Sequence, residues 1–222
     1  YEHIDPALVG NQRDIPMSNQ AGQSNLRQRL REANLVVEKG DPALGRILEL
    51  VKTRESEGYS YDTAQASFEL LARRELGICP EFFDVKRYKV SVERRKNKYN
   101  RMVSLSEAVV VVRINGEKKM SVSESMDELG NDRGPVNALS KALAKDLGPY
   151  QEMIDDMHLT DYMVRITQGG TEAVTRVVID CEDSKGRCWS TVGVSANIVD
   201  ASFEALLDAI NWKLIRDTEQ NA

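Results

Sequence analysis

The side chains able to do chemistry unaided are few and scattered. The two histidines, His3 and His158, lie far apart in the chain. No His-x-x-x-His pair sets two imidazoles on one helix face for a metal. Each histidine reads as a surface or packing residue. Asp155-Asp156 offers adjacent carboxylates, but it lies between structured runs and reads as a solvated turn. Cys79, Cys181 and Cys188 are too few and too badly spaced for a zinc site or a disulfide framework. Cys181 and Cys188 flank a hairpin turn, where either a disulfide or two reduced thiols fits; the reduced pair suits a cytoplasmic protein. Arg94-Arg95-Lys96-Asn97-Lys98 is basic and reads as a solvated loop. There is no Gly-rich phosphate loop and no nucleophile elbow. These residues do not make a self-sufficient active site.

Bulk properties describe an ordinary soluble globular protein. With 222 residues the chain has room for one large domain, or a domain with an appendage. A hydrophobic content of 41% and a charged content of 29% describe ordinary globular composition. The net charge of −5 gives no reason to expect nucleic acid or an anionic membrane as partner. No apolar run approaches the roughly 20 residues that cross a bilayer. The chain opens Tyr1-Glu2-His3, without an initiator Met or the basic head and apolar segment of a signal peptide, and so reads as a piece of a longer cytoplasmic protein.

The elements that would position a site are duplicated. Glu107-Ala108-Val109-Val110-Val111-Val112-Arg113-Ile114 reads E-A-V-x-x-V-x-I, and so does Glu172-Ala173-Val174-Thr175-Arg176-Val177-Val178-Ile179. Tyr88-Lys89-Val90 precedes the first copy and Tyr162-Met163-Val164 the second. Period-two alternation around Tyr88, Val90 and Val92 marks a half-buried strand. The apolar, β-branched run 108–114 predicts a central strand covered on both faces. Asn115-Gly116 predicts a tight hairpin into a third strand over 118–124. Helices follow, one over 135–147, the other from Ile198 to about 215. The fold class is therefore α+β, with two βββα units at 84–148 and 157–216. One helix covers one sheet face only. Val109, Val111, Val174 and Val178 point to the other, so the two units, or two chains, should pack together to hide it, and a homodimer is expected.

Residues 1–80 read as a small helical subdomain. Positions 1–23 are polar and turn-rich. Helical spacing of Leu26, Leu30, Ala33 and Val37 predicts a helix from 25 to about 37. Asp41-Pro42 is a strong start for a second helix, which should stop before Gly58. A third should begin near Ser60 or Asp62 and end at Gly77. The segment is thin in apolar residues and should lean on something else.

These residues carry a resemblance. Gly134-Pro135-Val136-Asn137-Ala138-Leu139 opening one helix, and Thr191-Val192-Gly193-Val194-Ser195 leading into the other, resemble the C-terminal regulatory (LeuA dimerisation-type) domain of the α-isopropylmalate synthase and citramalate synthase family. Tyr1-Glu2-His3-Ile4-Asp5-Pro6 and Ser24-Asn25-Leu26 look like the linker subdomains that follow that family's catalytic barrel. Gly58-Tyr59-Ser60-Tyr61 and the run 64–71 look most like the citramalate branch. The resemblance covers essentially the whole chain. It implies a parent acyltransferase condensing acetyl-CoA with a 2-oxo acid, pyruvate for citramalate in isoleucine biosynthesis. The metal-dependent barrel, with its divalent cation, would lie upstream; this chain itself implies no cofactor. Tyr1 matches a tyrosine that the linker lends to the active site, or is an unremarkable first residue.

The resemblance also implies an effector site. The family's regulatory domain binds the end-product amino acid between repeat units at the dimer interface. An aliphatic side chain needs a small apolar pocket, which Val136, Leu159, Tyr162, Ile166, Ala173 and Ile198 would line, although each of these also reads as plain core. A carboxylate suits the amides of a helix N-terminus, and Gly134-Pro135 and Asn197-Ile198 mark two. The expected effector is isoleucine, with leucine, or no ligand at all, as the alternatives. Here Gly130-Asn131-Asp132-Arg133-Gly134-Pro135 departs from the commoner G-N-G-P form by inserting Asp132-Arg133. Coupling to the barrel would run through 1–80, where Gly and Pro separate the helices.

Overall fold

The computed structural model describes residues 22–127, 134–168 and 173–221. Three helices come first: α1 Gln23–Glu32, α2 Pro42–Ser56 and α3 Gln65–Glu75. The first ends earlier than its apolar spacing predicts. Asn34 takes a left-handed φ of 60°, and the Leu35 amide returns to the Leu30 carbonyl at 2.7 Å, which closes the helix. The second starts where Asp41-Pro42 places it, with Asp41 Oδ1 accepting from the Ala43 amide at 2.8 Å. The third starts at Gln65, past both expected caps, and Ala64 at its head supplies no side-chain cap.

Two three-stranded antiparallel sheets follow. The first holds β1 Asp84–Lys96, β2 Met102–Ile114 and β3 Glu117–Asp127, with β2 central. Helix α4, Gly134–Ala144, packs on it. A 3-10 turn at Gly148–Tyr150 and the short α5, Gln151–Ile154, lead to the second sheet. That sheet holds β4 His158–Gln168, β5 Val174–Glu182 and β6 Cys188–Ser195, covered by α6, Ile198–Asn221. The last helix runs past the expected end near 215 because its last turns are held by ion pairs rather than by an apolar stripe. Asn115 and Gly116 both have positive φ, 50° and 87°, as a type I′ turn requires.

The inward residues of both repeats meet in one core. Ala108, Val110, Val112 and Ile114 join Leu139 and Leu143 from α4, Val177 and Ile179 from β5, and Leu206, Ile210 and Leu214 from α6. Each fully buried aliphatic side chain of this kind stabilises by about 1.5–3 kcal/mol relative to exposure. The repeats therefore join through their covered faces, with α4 against α6.

The outward faces differ from expectation. Strand β2 is fully covered on one face only: Val109 and Val111 are half-buried while Glu107 and Arg113 are exposed. In the second sheet, Val178 and Val194 pack against the helical subdomain, not against the other repeat. That subdomain has its own apolar cluster, with Leu26, Leu30, Leu44, Ile47 and Phe68, and leans on the second repeat through Val192. Helix α3 contacts both β6 and α6. All three cysteines are free thiols. In register Cys181 faces Trp189 and Cys188 faces Glu182, so the two do not oppose each other. Burial pushes the Cys181 thiol up to about 12, which leaves it inert.

Candidate effector site

The tyrosines that mark the start of each repeat converge on the first turns of α6. Strand β1 sets Tyr88 opposite Val110, and β4 sets Tyr162 opposite Ile179, so both side chains stand on helix-covered faces. The Tyr88 hydroxyl donates to Asp200 Oδ1, and its ring lies 4.1 Å from that of Phe203. Burial and the Asp200 carboxylate raise the Tyr88 phenol above its ordinary value. The Tyr162 hydroxyl shares a hydrogen with Ser202 Oγ at 2.7 Å, and Ser202 donates to the Ile198 carbonyl at 2.6 Å. Two edge strands from different repeats thus grip one helix start.

At that start and along the same face of β4 lie aliphatic residues that the other described residues leave exposed. Ile166 is 70% exposed and Ile198 43%, with Val164 also open; Leu159, 43% exposed, lies at the far end of β4, paired with Cys181 beside Trp189, and Met163 stands on the opposite face with Val178. A bulge between Leu159 and Asp161 turns Leu159 to the side of the sheet that carries Tyr162. Ala173 is half-buried at the foot of β5. Exposed aliphatic residues grouped in this way mark a binding or interaction face more often than scattered ones do.

Of the residues expected from sequence, Tyr162 and Ile166 share one face of β4 and Tyr162 reaches the first turn of α6, which Ile198 opens; Leu159 shares that face but lies at the other end of the strand. Val136 and Pro135 are half-buried at the start of α4, where Val136 borders the shared core. Gly134 opens α4 with a φ of 47°. Asn197 is exposed, and its Oδ1 accepts from the Val199 amide at 2.9 Å. One of the amides expected to meet a carboxylate is therefore already capped by the chain itself. Tyr1 and the inserted Asp132-Arg133 lie outside the described residues. Tyr88, Asp200 and Ser202 were missed by sequence reasoning, although the match between Tyr88 and Tyr162 was the signal that could have found them.

A cavity of about 220 Å³ lies elsewhere, between the helical subdomain and the second repeat, lined by Arg54, Tyr59, Ser67, Arg74, Glu204 and Asp208 among others. Asp208 is buried, which raises its carboxyl above the ordinary range against the pull of Arg74 Nη2 at 2.7 Å and Ser67 Oγ at 2.8 Å. Among the described residues, no three His, Cys, Asp or Glu side chains are grouped to hold a metal ion. No helix among them is long and apolar enough to cross a membrane.

Residues 62–214 match the family described as the LeuA allosteric (dimerisation) domain. The chain belongs to that family. The chain is 40% identical to (R)-citramalate synthase of Aquifex aeolicus over 222 residues, which is 99% of this chain and 40% of the relative. It is 40% identical to the (R)-citramalate synthase of Geobacter sulfurreducens over 221 residues, 99% of this chain and 40% of the relative. The similarity to 2-isopropylmalate synthase of Clostridium kluyveri is 30% over 222 residues, 98% of this chain and 38% of the relative. The chain spans about two fifths of the length of these relatives. The family match begins inside the helical segment, at residue 62, so α3 falls within the LeuA-type domain.

Proposed function

We propose that this chain is the C-terminal regulatory region of an (R)-citramalate synthase, which condenses acetyl-CoA with pyruvate, and that it binds isoleucine as feedback inhibitor at an interface between two copies. The observation that carries the reading is the 40% identity to citramalate synthases along nearly the whole chain, against 30% to a 2-isopropylmalate synthase. The site supports it. Ile166 and Ile198 are exposed aliphatic residues at the α6 start, with Leu159 farther along the same face of β4, which suits a branched aliphatic side chain once a second copy closes over it. Tyr162 and Ser202 supply a paired hydroxyl at its edge. The ligand's carboxylate would meet the α4 or α6 start, where backbone amides and the helix dipole favour an anion. The proposed effector contacts are Gly134, Pro135, Val136, Leu159, Tyr162, Ile166, Ala173, Asn197 and Ile198. The divalent cation that the reaction uses would sit in the upstream barrel, to which Tyr1 would contribute.

Calorimetric titration with isoleucine and then leucine tests this. Saturable isoleucine binding, with leucine at least about tenfold weaker, is expected; tenfold corresponds to 1.4 kcal/mol. A preference for leucine would overturn the assignment to the citramalate branch. No heat with either, together with no rise in melting temperature, would leave a dimerisation module without a ligand.

A further inference from the structure

We infer that the loop between α2 and α3, centred on Gly58-Tyr59, is a latch that carries the state of the effector site to the helical subdomain; this rests on the reading of the site given above. The loop lies directly on the second sheet. Gly58 has a φ of +114°, and a Cβ there would sit 2.8 Å from Thr167 Oγ1 and 3.5 Å from Val194 Cγ1. Only glycine permits that backbone and that approach. Thr167 is the extra residue of a bulge between Ile166 and Gln168, and its hydroxyl donates to the Val174 carbonyl at 3.1 Å. Arg176 Nε donates to the Gly58 carbonyl, and Arg176 Nη2 reaches the Tyr59 carbonyl at 3.5 Å. The Tyr59 hydroxyl donates to Glu204 Oε1 at 2.7 Å and accepts from Arg54 Nη1 at 3.0 Å. Glu204 Oε2 in turn accepts from the Val194 amide at 3.0 Å.

The grips on this loop are close in sequence to candidate effector residues, with Arg176 three residues after Ala173. Ile166 precedes Thr167, and Ala173 precedes Val174. The Tyr162–Ser202 hydroxyl pair is two residues from Glu204 on α6. Packed interiors move as units, so a ligand that shifts the end of β4, the foot of β5 or the first turns of α6 moves Thr167, Arg176 or Glu204 with them. The latch has two kinds of contact, a steric one at Gly58 and a polar one through Arg176 and Tyr59. Both lead into α2 and α3, on the route towards the N-terminal end of the chain. Arg176 faces Arg165 across the sheet and has Glu55 near it, so its charge is directed to the helical side of the junction.

The test uses the full-length protein with isoleucine as probe, in wild type, Tyr59→Phe and Arg176→Met. Three quantities are read: isoleucine binding by calorimetry, inhibition of acetyl-CoA- and pyruvate-dependent turnover, and amide exchange at residues 57–63. Exchange in wild type needs no variant, so a misfolded variant does not end the test. The expected result is slowed exchange at 57–63 when isoleucine binds wild type. The two variants should bind isoleucine within about threefold of wild type, while their inhibition midpoints rise about tenfold or more, within the usual range of allosteric coupling. Wild type that binds and is inhibited, with unchanged inhibition in both variants or no exchange change at 57–63, overturns the latch and leaves the effector site standing. Wild type that neither binds isoleucine nor is inhibited by it overturns the effector reading, and the latch with it.

Discussion

Seen from the core, the two repeats are near copies. Val112 and Ile114 in the first are as buried as Val177 and Ile179 in the second. Seen from outside, they part. The first repeat extends its hairpin, with 13 residues in each of β1 and β2 against 11 in β4 and 9 in β5. The extension is exposed and basic, with Arg94, Arg95, Lys96, Lys98 and Arg101. The second repeat has a short hairpin and gives its outer face to the helical subdomain. Their helices are held differently as well. Near the end of α4, Asp146 pairs with Lys119 at 2.8 Å on the surface. In α6, the buried Lys213 pairs with Asp217, with Asp156 at 3.0 Å and with Asp183 at 3.5 Å, and Arg187 and Lys185 add to the cluster. Duplication supplied two equal halves of a core; what differs is which half was tied to the rest of the protein.

The largest expected effect sharpens that contrast. Lys213→Met removes the buried cation of this cluster, taking the ion pair from Asp156 and leaving Asp183 and Asp217 to Arg187 and Lys185, and should cost about 3–5 kcal/mol, as breaking buried ion pairs does. Lys119→Met removes an exposed pair and should cost less than about 1 kcal/mol. Thermal or urea unfolding of the two variants side by side measures the difference; equal losses would break the comparison.

Glycines give the next contrast. A Cβ on Gly193 would lie 2.0 Å from the Ala201 carbonyl oxygen, so Gly193→Ala must push α6 off β6, at a cost of about 3 kcal/mol. A Cβ on Gly116 meets nothing within 4 Å, and only its φ of +87° is at stake. Gly116→Ala should cost about 1 kcal/mol. Melting curves that rank the two the other way would mean that the strand–helix contact is not what fixes the second repeat.

Acid gives a third. Burial works to raise the Asp217 carboxyl, but Lys213, Arg187 and Lys185 hold it down to about 2. A carboxyl depressed in the folded state adds stability above its unfolded value near 3.9, and that stability is lost as pH falls towards the folded value. Between about pH 4 and pH 2 most of the Asp217 contribution, about 2 kcal/mol, should be lost. Asp208, raised mainly by burial, runs the other way: its ionisation opposes folding, and stability from it falls as pH rises above the unfolded value. Urea midpoints measured across this range in wild type and Asp217→Asn check the sign; the variant should show the shallower acid loss. The smallest effect belongs to the basic hairpin, where Lys98→Ala should change stability by no more than about 0.5 kcal/mol.

Much of this architecture was legible in the residues. The doubled E-A-V-x-x-V-x-I run located both central strands, Asn115-Gly116 the hairpin and Asp41-Pro42 the start of α2. What escaped was tertiary. The reach of α6 to Asn221 depends on Lys213 and Asp217 meeting Asp183 and Arg187 from a distant turn, and helical periodicity carries no trace of that. The outer cover of Val178 comes from residues more than a hundred positions earlier, so facing patterns within the repeat pointed to the wrong partner. The candidate effector residues came from the family resemblance, which did not include Tyr88 and Asp200, because the first repeat's tyrosine reaches across to the second repeat's helix.

The most direct measurement is amide exchange along the full-length protein, with and without isoleucine. The account predicts protection at β4, at the foot of β5, in the first turns of α6 and at 57–63, with the basic hairpin unchanged. Protection confined to β1–β3, or none anywhere at saturating isoleucine, would contradict the claim that the second repeat carries the effector and its link to the helices.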